Sequence, residues 1–186
     1  MDMYKYWEDW YSKGNTSGKG SVGKLAEYKT TFINNVIQTY NIQSMIDFGC
    51  GDGVVMKGIN CKSYLGVDLS LTAIQLCSTL SPEKEFVHLD KFDERIADMT
   101  ISLDVIFHLT DNLEYIYYMD MLFNSASKLV VIYSTNLDYR SHPQFQHIRH
   151  RRFSSNIPKG WELKQYYPNP YPSESDSDFY LYGNIN

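Results

Sequence analysis

Nine residues constrain this chain more than any others: Met45-Ile46-Asp47-Phe48-Gly49-Cys50-Gly51-Asp52-Gly53. The apolar start reads as a buried strand that closes on an acidic residue, and glycines at three alternate positions then break any regular continuation. Glycine takes backbone conformations closed to other residues and lets the main chain approach a ligand with no Cβ in between. In open parallel sheets, such a loop at the carboxyl end of a strand is where nucleotide-like ligands bind. The spacing narrows the ligand. A dinucleotide fingerprint requires Gly-x-Gly-x-x-Gly, but its third glycine would fall on Val54 counted from Gly49 and on Met56 counted from Gly51.

Around this loop the hydrophobic period alternates. Short apolar runs predict strands at Ser44–Phe48, Ser63–Val67, Glu85–His88, Met99–Leu103 and Leu129–Tyr133, and helical spacing predicts helices over Lys24–Tyr40, Leu71–Thr79 and Leu113–Ser125. Repeated strand, helix, strand implies parallel strands with crossover helices, hence an α/β layered sheet. Past Ser134 a polar stretch rich in His and Arg runs to Lys159. Two further apolar runs, Trp161–Tyr167 and Phe179–Tyr182, are joined by a loop and predict an antiparallel pair closing the sheet edge.

Composition fits one intracellular domain. A chain of 186 residues with 43% hydrophobic content suits a single domain over residues 1–186 and buries a core without disulfides. Three cysteines, an odd and sparse set, fit a reducing compartment. A net charge of −5 argues against a general nucleic-acid binder. The aromatic, charged start is not a signal peptide, and no apolar run nears the ~20 residues of a membrane span. The expectation is a cytoplasmic protein with no membrane partner, its oligomeric state left open.

Three more elements stand in register with the glycine loop. Tyr64-Leu65-Gly66-Val67-Asp68 ends on a carboxylate 21 residues after Asp47, close to the spacing at which an acidic residue accepts hydrogen bonds from ribose hydroxyls. Phe86-Val87-His88-Leu89-Asp90 ends a third strand, and Asp98 to Leu109 spans a fourth. Asp-x-Gly-x-Gly-x-Gly is the first motif of class I S-adenosylmethionine (SAM) methyltransferases, and over roughly Ile42 to Tyr133 the chain resembles that family. The resemblance implies a Rossmann-like seven-stranded mixed sheet, mostly parallel with an antiparallel edge strand and with helices on both faces. It also implies SAM as cofactor, held by Asp47, Gly49, Gly51, Gly53, Asp68 and Asp90. The chemistry agrees, because a sulfonium and an ammonium tolerate a carboxylate that would repel a pyrophosphate. Plainer readings stand beside these: a strand-to-helix turn for the glycines, a helix cap for Asp68, a solvated carboxylate for Asp90, and simple packing for Cys50.

The first 23 residues pair an aromatic segment (Tyr4, Trp7, Trp10, Tyr11) with a Gly/Ser-rich stretch, and read as a lid over the sulfonium or the acceptor pocket; the plainer reading is that the aromatics pack on the sheet edge. Gly18 to Lys24 matches Gly-x-x-x-x-Gly-Lys, but Leu25 replaces the hydroxyl residue that a phosphate loop needs and no strand precedes it. Methyl transfer to a hydroxyl requires a base, and His108 after the fourth strand is the first candidate, with Asp104 next; their plainer roles are core packing and a helix cap. Beyond the fifth strand, residues 138–159 read as an acceptor-side insertion. There His147, Arg149, Arg151 and Arg152 are candidates for binding the acceptor, since guanidinium forms paired hydrogen bonds to anions; a solvated basic loop is the alternative. A metal held by His142, His147 and His150 lacks a carboxylate, so none is expected. The acceptor implied is a small polar molecule, by analogy a sugar or nucleotide sugar in glycan modification. The alternatives are another small metabolite, RNA, or an inactive SAM-binding partner subunit.

Overall fold

The structure is a computed structural model that describes residues 2–139 and 145–185. His142 and Pro143 of the His/Arg-rich segment lie outside the described residues. In chain order the elements are α1 (Met3–Ser12), α2 (Gly23–Thr39), β1 (Ser44–Phe48), β2 (Ser63–Asp68), α3 (Leu71–Leu80), β3 (Glu85–His88), β4 (Ala97–Leu103), α4 (Asn112–Asn124), β5 (Ala126–Ser134), β6 (Trp161–Tyr167) and β7 (Asp178–Asn184).

All seven strands form one sheet in the order β3-β2-β1-β4-β5-β7-β6. The first five are mutually parallel, and β7 runs antiparallel to both β5 and β6. The reversed strand therefore sits one place in from the edge, and β6 is the edge itself. The central strands are buried on both faces, so they read as near-continuous apolar runs. Along β5, Leu129, Val131 and Tyr133 point to one face, where they join Phe32, Ile33 and Val36 of α2 and Cys77 of α3. Val130 and Ile132 point to the other, with Tyr118, Met119 and Leu122 of α4. Each fully buried side chain of this size contributes about 1.5–3 kcal/mol. Two polar anchors fix the layers in register. Ser70 caps α3 by accepting from the Ala73 amide, and the Tyr118 hydroxyl bridges Phe48 O at 3.1 Å and Ser102 Oγ at 2.7 Å.

Strand order reverses at β1 and β4. From β1 the chain winds outward through β2 and β3, and from β4 it winds the other way to β5, so the loops after β1 and β4 leave the sheet in opposite directions and open a crevice between them. Two connections depart from simple alternation. Between β1 and β2 the chain forms one 3₁₀ turn, Met56–Gly58, because closely spaced glycines cost about 1 kcal/mol each in a helix. Between β3 and β4 it forms another, Leu89–Lys91. The N-terminal aromatic segment is helical: α1 is capped by Asp2, whose side chain accepts from the Lys5 amide, and buries Met3 and Tyr11. Among the described residues, no helix is long and apolar enough to cross a membrane.

Candidate cofactor and acceptor site

A cavity of about 630 Å³ occupies the crevice, within the range of small-molecule and cofactor sites. One end is built from the glycine loop. Gly49 and Gly51 have φ of 80° and 58°, and both positions reject a side chain. A Cβ on Gly49 would run into Val105, and one on Gly51 into Ser17 Oγ and the Tyr11 hydroxyl. Asp68 fixes the loop from β2. Its Oδ2 accepts the Gly51 amide and its Oδ1 the Ser70 amide, both at 2.9 Å. Burial pushes the Asp68 carboxyl above its ordinary range and these amide bonds pull it back. A carboxylate has about four lone-pair sites, more than these two amides use. Asp47 lies beside it, accepts from the Tyr64 hydroxyl at 2.7 Å, and is pushed by burial up to about 7.

The other end gathers around the loop after β4. Asp104 has φ of 60°, uncommon for a residue other than glycine, and its carboxylate pairs with Lys29 Nζ at 2.5 Å and accepts from Ser177 Oγ at 2.7 Å. His108 Nδ1 lies 3.0 Å from the His147 carbonyl. A carbonyl only accepts, so Nδ1 carries the proton and Nε2 keeps its lone pair. Burial lowers His108 to about 4, leaving it neutral near pH 7. The His147 ring stacks on Tyr6 with centroids 5.0 Å apart, and Trp7 meets His108 edge-on at 4.9 Å. His150 also lines the cavity, its Nδ1 2.6 Å from Thr135 Oγ1.

Residues 3–21 form a cap over both ends. The Ser17 amide donates to Asp52 Oδ2 at 2.8 Å while the Asp52 amide donates to Ser17 Oγ at 3.0 Å. Glu8 of α1 accepts from Thr72 Oγ1, Ser70 Oγ and the Thr72 amide at the start of α3. The bond from the Thr72 hydroxyl leads the causes that hold its carboxyl below the ordinary range.

The cavity thus unites Asp47, Gly49, Gly51, Asp68, Asp104, His108 and His147. Other candidates point elsewhere. A Cβ at Gly53 would meet Cys77 and Met56, away from the cavity lining, and Asp90 is 65% exposed beside His88. Arg149 donates to the Thr110 carbonyl and Asn112 Oδ1. Arg151 donates to the carbonyls of Leu109, Thr110 and Asp111 and lies over the Tyr115 ring. Both guanidinium groups brace the β4–α4 loop from outside the cavity lining. At Arg152 the main-chain amide bonds to Asp138. The residue that composition and motifs gave no reason to single out is Lys29, fully buried in α2.

The family model described as methyltransferase domain matches residues 46–123, from β1 through α4. Over those residues the sequence is similar to the methyltransferase domain family. No curated protein sequence matches it. Among solved structures, the N-methyltransferase NodS from Bradyrhizobium japonicum WM9, solved with S-adenosyl-L-homocysteine (SAH), superposes with a TM-score of 0.79 at 12% identity over 100% of both chains. Magnesium protoporphyrin IX methyltransferase (ChlM) from Synechocystis PCC 6803, solved with SAM, gives 0.65 at 13% identity over 99% of this chain and 98% of that one. Phosphoethanolamine N-methyltransferase 1 of Haemonchus contortus gives 0.67 at 13% identity over 98% of this chain and 48% of that one. At such identities the likeness is one of fold: the Rossmann-like seven-stranded sheet of class I methyltransferases. Strands β1 and β4, which border the crevice, lie almost wholly within the matched stretch, whereas the lining residues 3–21 and 174–177 lie outside it.

Proposed function

We propose that this domain transfers the methyl group of SAM to a small polar acceptor, a sugar being the candidate class. One observation carries the cofactor half. Gly49 and Gly51 adopt conformations that suit glycine and leave no room for a Cβ, and Asp68 meets them with a buried carboxylate that retains acceptor sites. These residues fit the donor: the glycine main chain would lie against it, Asp68 would receive its ribose hydroxyls, and the neighbouring carboxylates would suit its positive charge. Gly53 and Asp90 act around this end, Gly53 through the turn and Asp90 through the rim. Bound there, SAM supplies a methyl group already activated by its sulfonium.

The chain's remaining task is alignment and proton removal. His108 is the base, since its tautomer is fixed with Nε2 open; Asp104 orients the acceptor, and His147 holds His108 through its carbonyl. Rings at Tyr6, Trp7 and Phe107 next to histidine and carboxylate groups supply the flat apolar faces and hydrogen bonds that a sugar requires. A nucleotide sugar would bring phosphate, for which Lys19 is the cation among the cavity-lining residues. Arg149 and Arg151 then support acceptor binding through the loop they brace, and Arg152 through the segment that its amide ties to Asp138. Free thiols at Cys50, Cys61 and Cys77 accord with work in the cytoplasm.

Titration calorimetry with SAH, against NAD as control, tests the cofactor half: SAH is expected to bind and NAD not. SAH release from SAM over a panel of sugars, nucleotide sugars, amines and a short RNA tests the acceptor. Turnover on amines or RNA alone would overturn the sugar reading, and SAH binding with no turnover on any acceptor would favour a partner subunit over an enzyme.

A further inference from the structure

We infer that Lys29 is a positioning residue for methyl transfer, tying closure of the N-terminal cap to the orientation of Asp104 at the acceptor end of the cavity. The catalytic half of this statement rests on the function proposed above; the structural half does not. Lys29 is fully buried, and an ammonium persists there only if its donors are satisfied. Two partners are charged or strongly polar: Asp104 Oδ2 at 2.5 Å and the Gly20 carbonyl at 2.7 Å. A third contact is the face of Tyr133, 4.9 Å from Nζ. Gly20 belongs to the cap, and a Cβ there would lie 2.8 Å from Asp104 Oδ2. The cap main chain is therefore seated directly on the pair.

Lys29 is outside the cavity lining while Asp104 and Gly20 are within it, so the lysine acts through its neighbours. Lifting the cap takes the Gly20 carbonyl from Lys29 and admits water to the pair. The Asp104 carboxylate, restrained on its other oxygen by Ser177, then loses the geometry that its left-handed backbone sets up. At the far end the same cap segment holds Asp52 of the glycine loop through Ser17. One short stretch, residues 17–20, thus touches both ends of the cavity, and Lys29 anchors its acceptor side.

The test uses Lys29→Met, which fills the space without charge, and Lys29→Met/Asp104→Asn, which also removes the charge left unpaired. Three readouts apply: thermal melting, the rate of tryptic cleavage after Lys19 in the cap, and the SAH dissociation rate followed by the fluorescence of Trp7 and Trp10. Both variants are expected to release SAH roughly 10-fold faster or more and to be cut faster at Lys19, the loss of one charge-assisted hydrogen bond. The double variant is expected to regain most of the wild-type melting temperature. With an acceptor in hand, kcat should fall more than KM rises, a split that a loss of fold alone does not produce. Wild-type dissociation and cleavage rates in either folded variant would overturn the inference. If neither variant folds, Gly20→Ala, which drives a methyl against Asp104 and leaves Lys29 intact, is read the same way. If wild-type protein does not bind SAH, the cofactor reading has failed, and Lys19 cleavage still decides whether Lys29 anchors the cap.

Discussion

The end of the cavity proposed to hold the cofactor is made mostly of main chain, whereas the end proposed for the acceptor is made of side chains. At the first, the left-handed turns at Gly49 and Gly51 and the amides caught by Asp68 come from two adjacent strand ends, β1 and β2. At the second, Lys29 comes from α2, Asp104 and His108 follow β4, His147 and His150 lie beyond β5, and Ser177 precedes β7. Main chain can be shaped in only a few ways, so the first end carries a short recognisable signature. The second is assembled from distant segments, each free to vary while the ensemble still works. If the proposed function holds, donor binding and acceptor choice should be separable, and mutations should divide along the same line.

The largest effect should come from the acceptor end. His108→Ala is expected to lower turnover roughly 100-fold or more while leaving SAH affinity within about 2-fold, and retained turnover would return His108 to a packing role. Its pH dependence has a definite sign. The folded value, lowered from 6.5 to about 4, places the loss of the base near pH 4 in a pH–rate profile. For the same reason the histidine's contribution to stability is complete above 6.5 and is lost as pH falls toward 4.

At the cofactor end, Gly51→Ala combines a strained left-handed residue with a methyl group driven into Ser17 and Tyr11. A loss of roughly 30- to 100-fold in SAH affinity by calorimetry is expected. Unchanged affinity would show that the loop and the cap move apart at little cost. Asp68→Ala should weaken SAH by about 1.5–3 kcal/mol, with Asp68→Asn intermediate because it keeps one acceptor oxygen. Equal affinities for all three proteins would remove Asp68 from the ribose site. The smallest effect should be that of Arg151→Lys, which cannot reach three carbonyls at once. A drop of roughly 2–4 °C in melting temperature is expected, with the acceptor KM little changed; a large KM effect instead would give the guanidinium a direct part in acceptor binding.

Much of the sheet was legible because β1, β2, β4 and β5 are buried on both faces and announce themselves as apolar runs. The glycine loop was legible for a different reason: Gly49 and Gly51 each occupy a place that a side chain cannot. Helix α1 was less visible, since Met3, Trp7 and Tyr11 do follow helical spacing but are lost among other aromatic residues. Lys29 was invisible, because a lysine in an amphipathic helix looks solvated until its partner, 75 residues away, is known. The cluster at Arg149, Arg151 and Arg152 advertises charge without direction, and the carbonyls that Arg149 and Arg151 meet carry no mark in a sequence. Pairings between distant segments that depend on side-chain direction are what a linear reading loses.

The 3₁₀ turn at Met56–Gly58 has an electrostatic consequence. Had an α-helix begun after the glycine loop, its dipole would have set roughly half a positive charge there, which suits a pyrophosphate. Without it, no helix dipole offsets the acidic side chains of Asp47, Asp52 and Asp68 around the loop. On the proposed function, a sulfonium donor enters these surroundings with a positive charge and leaves without it, so the spent donor should be held less firmly than the fresh one. Tighter binding of SAM than of SAH, with the gap narrowing as salt is raised, would reveal a bias toward product release written into the absence of one helix.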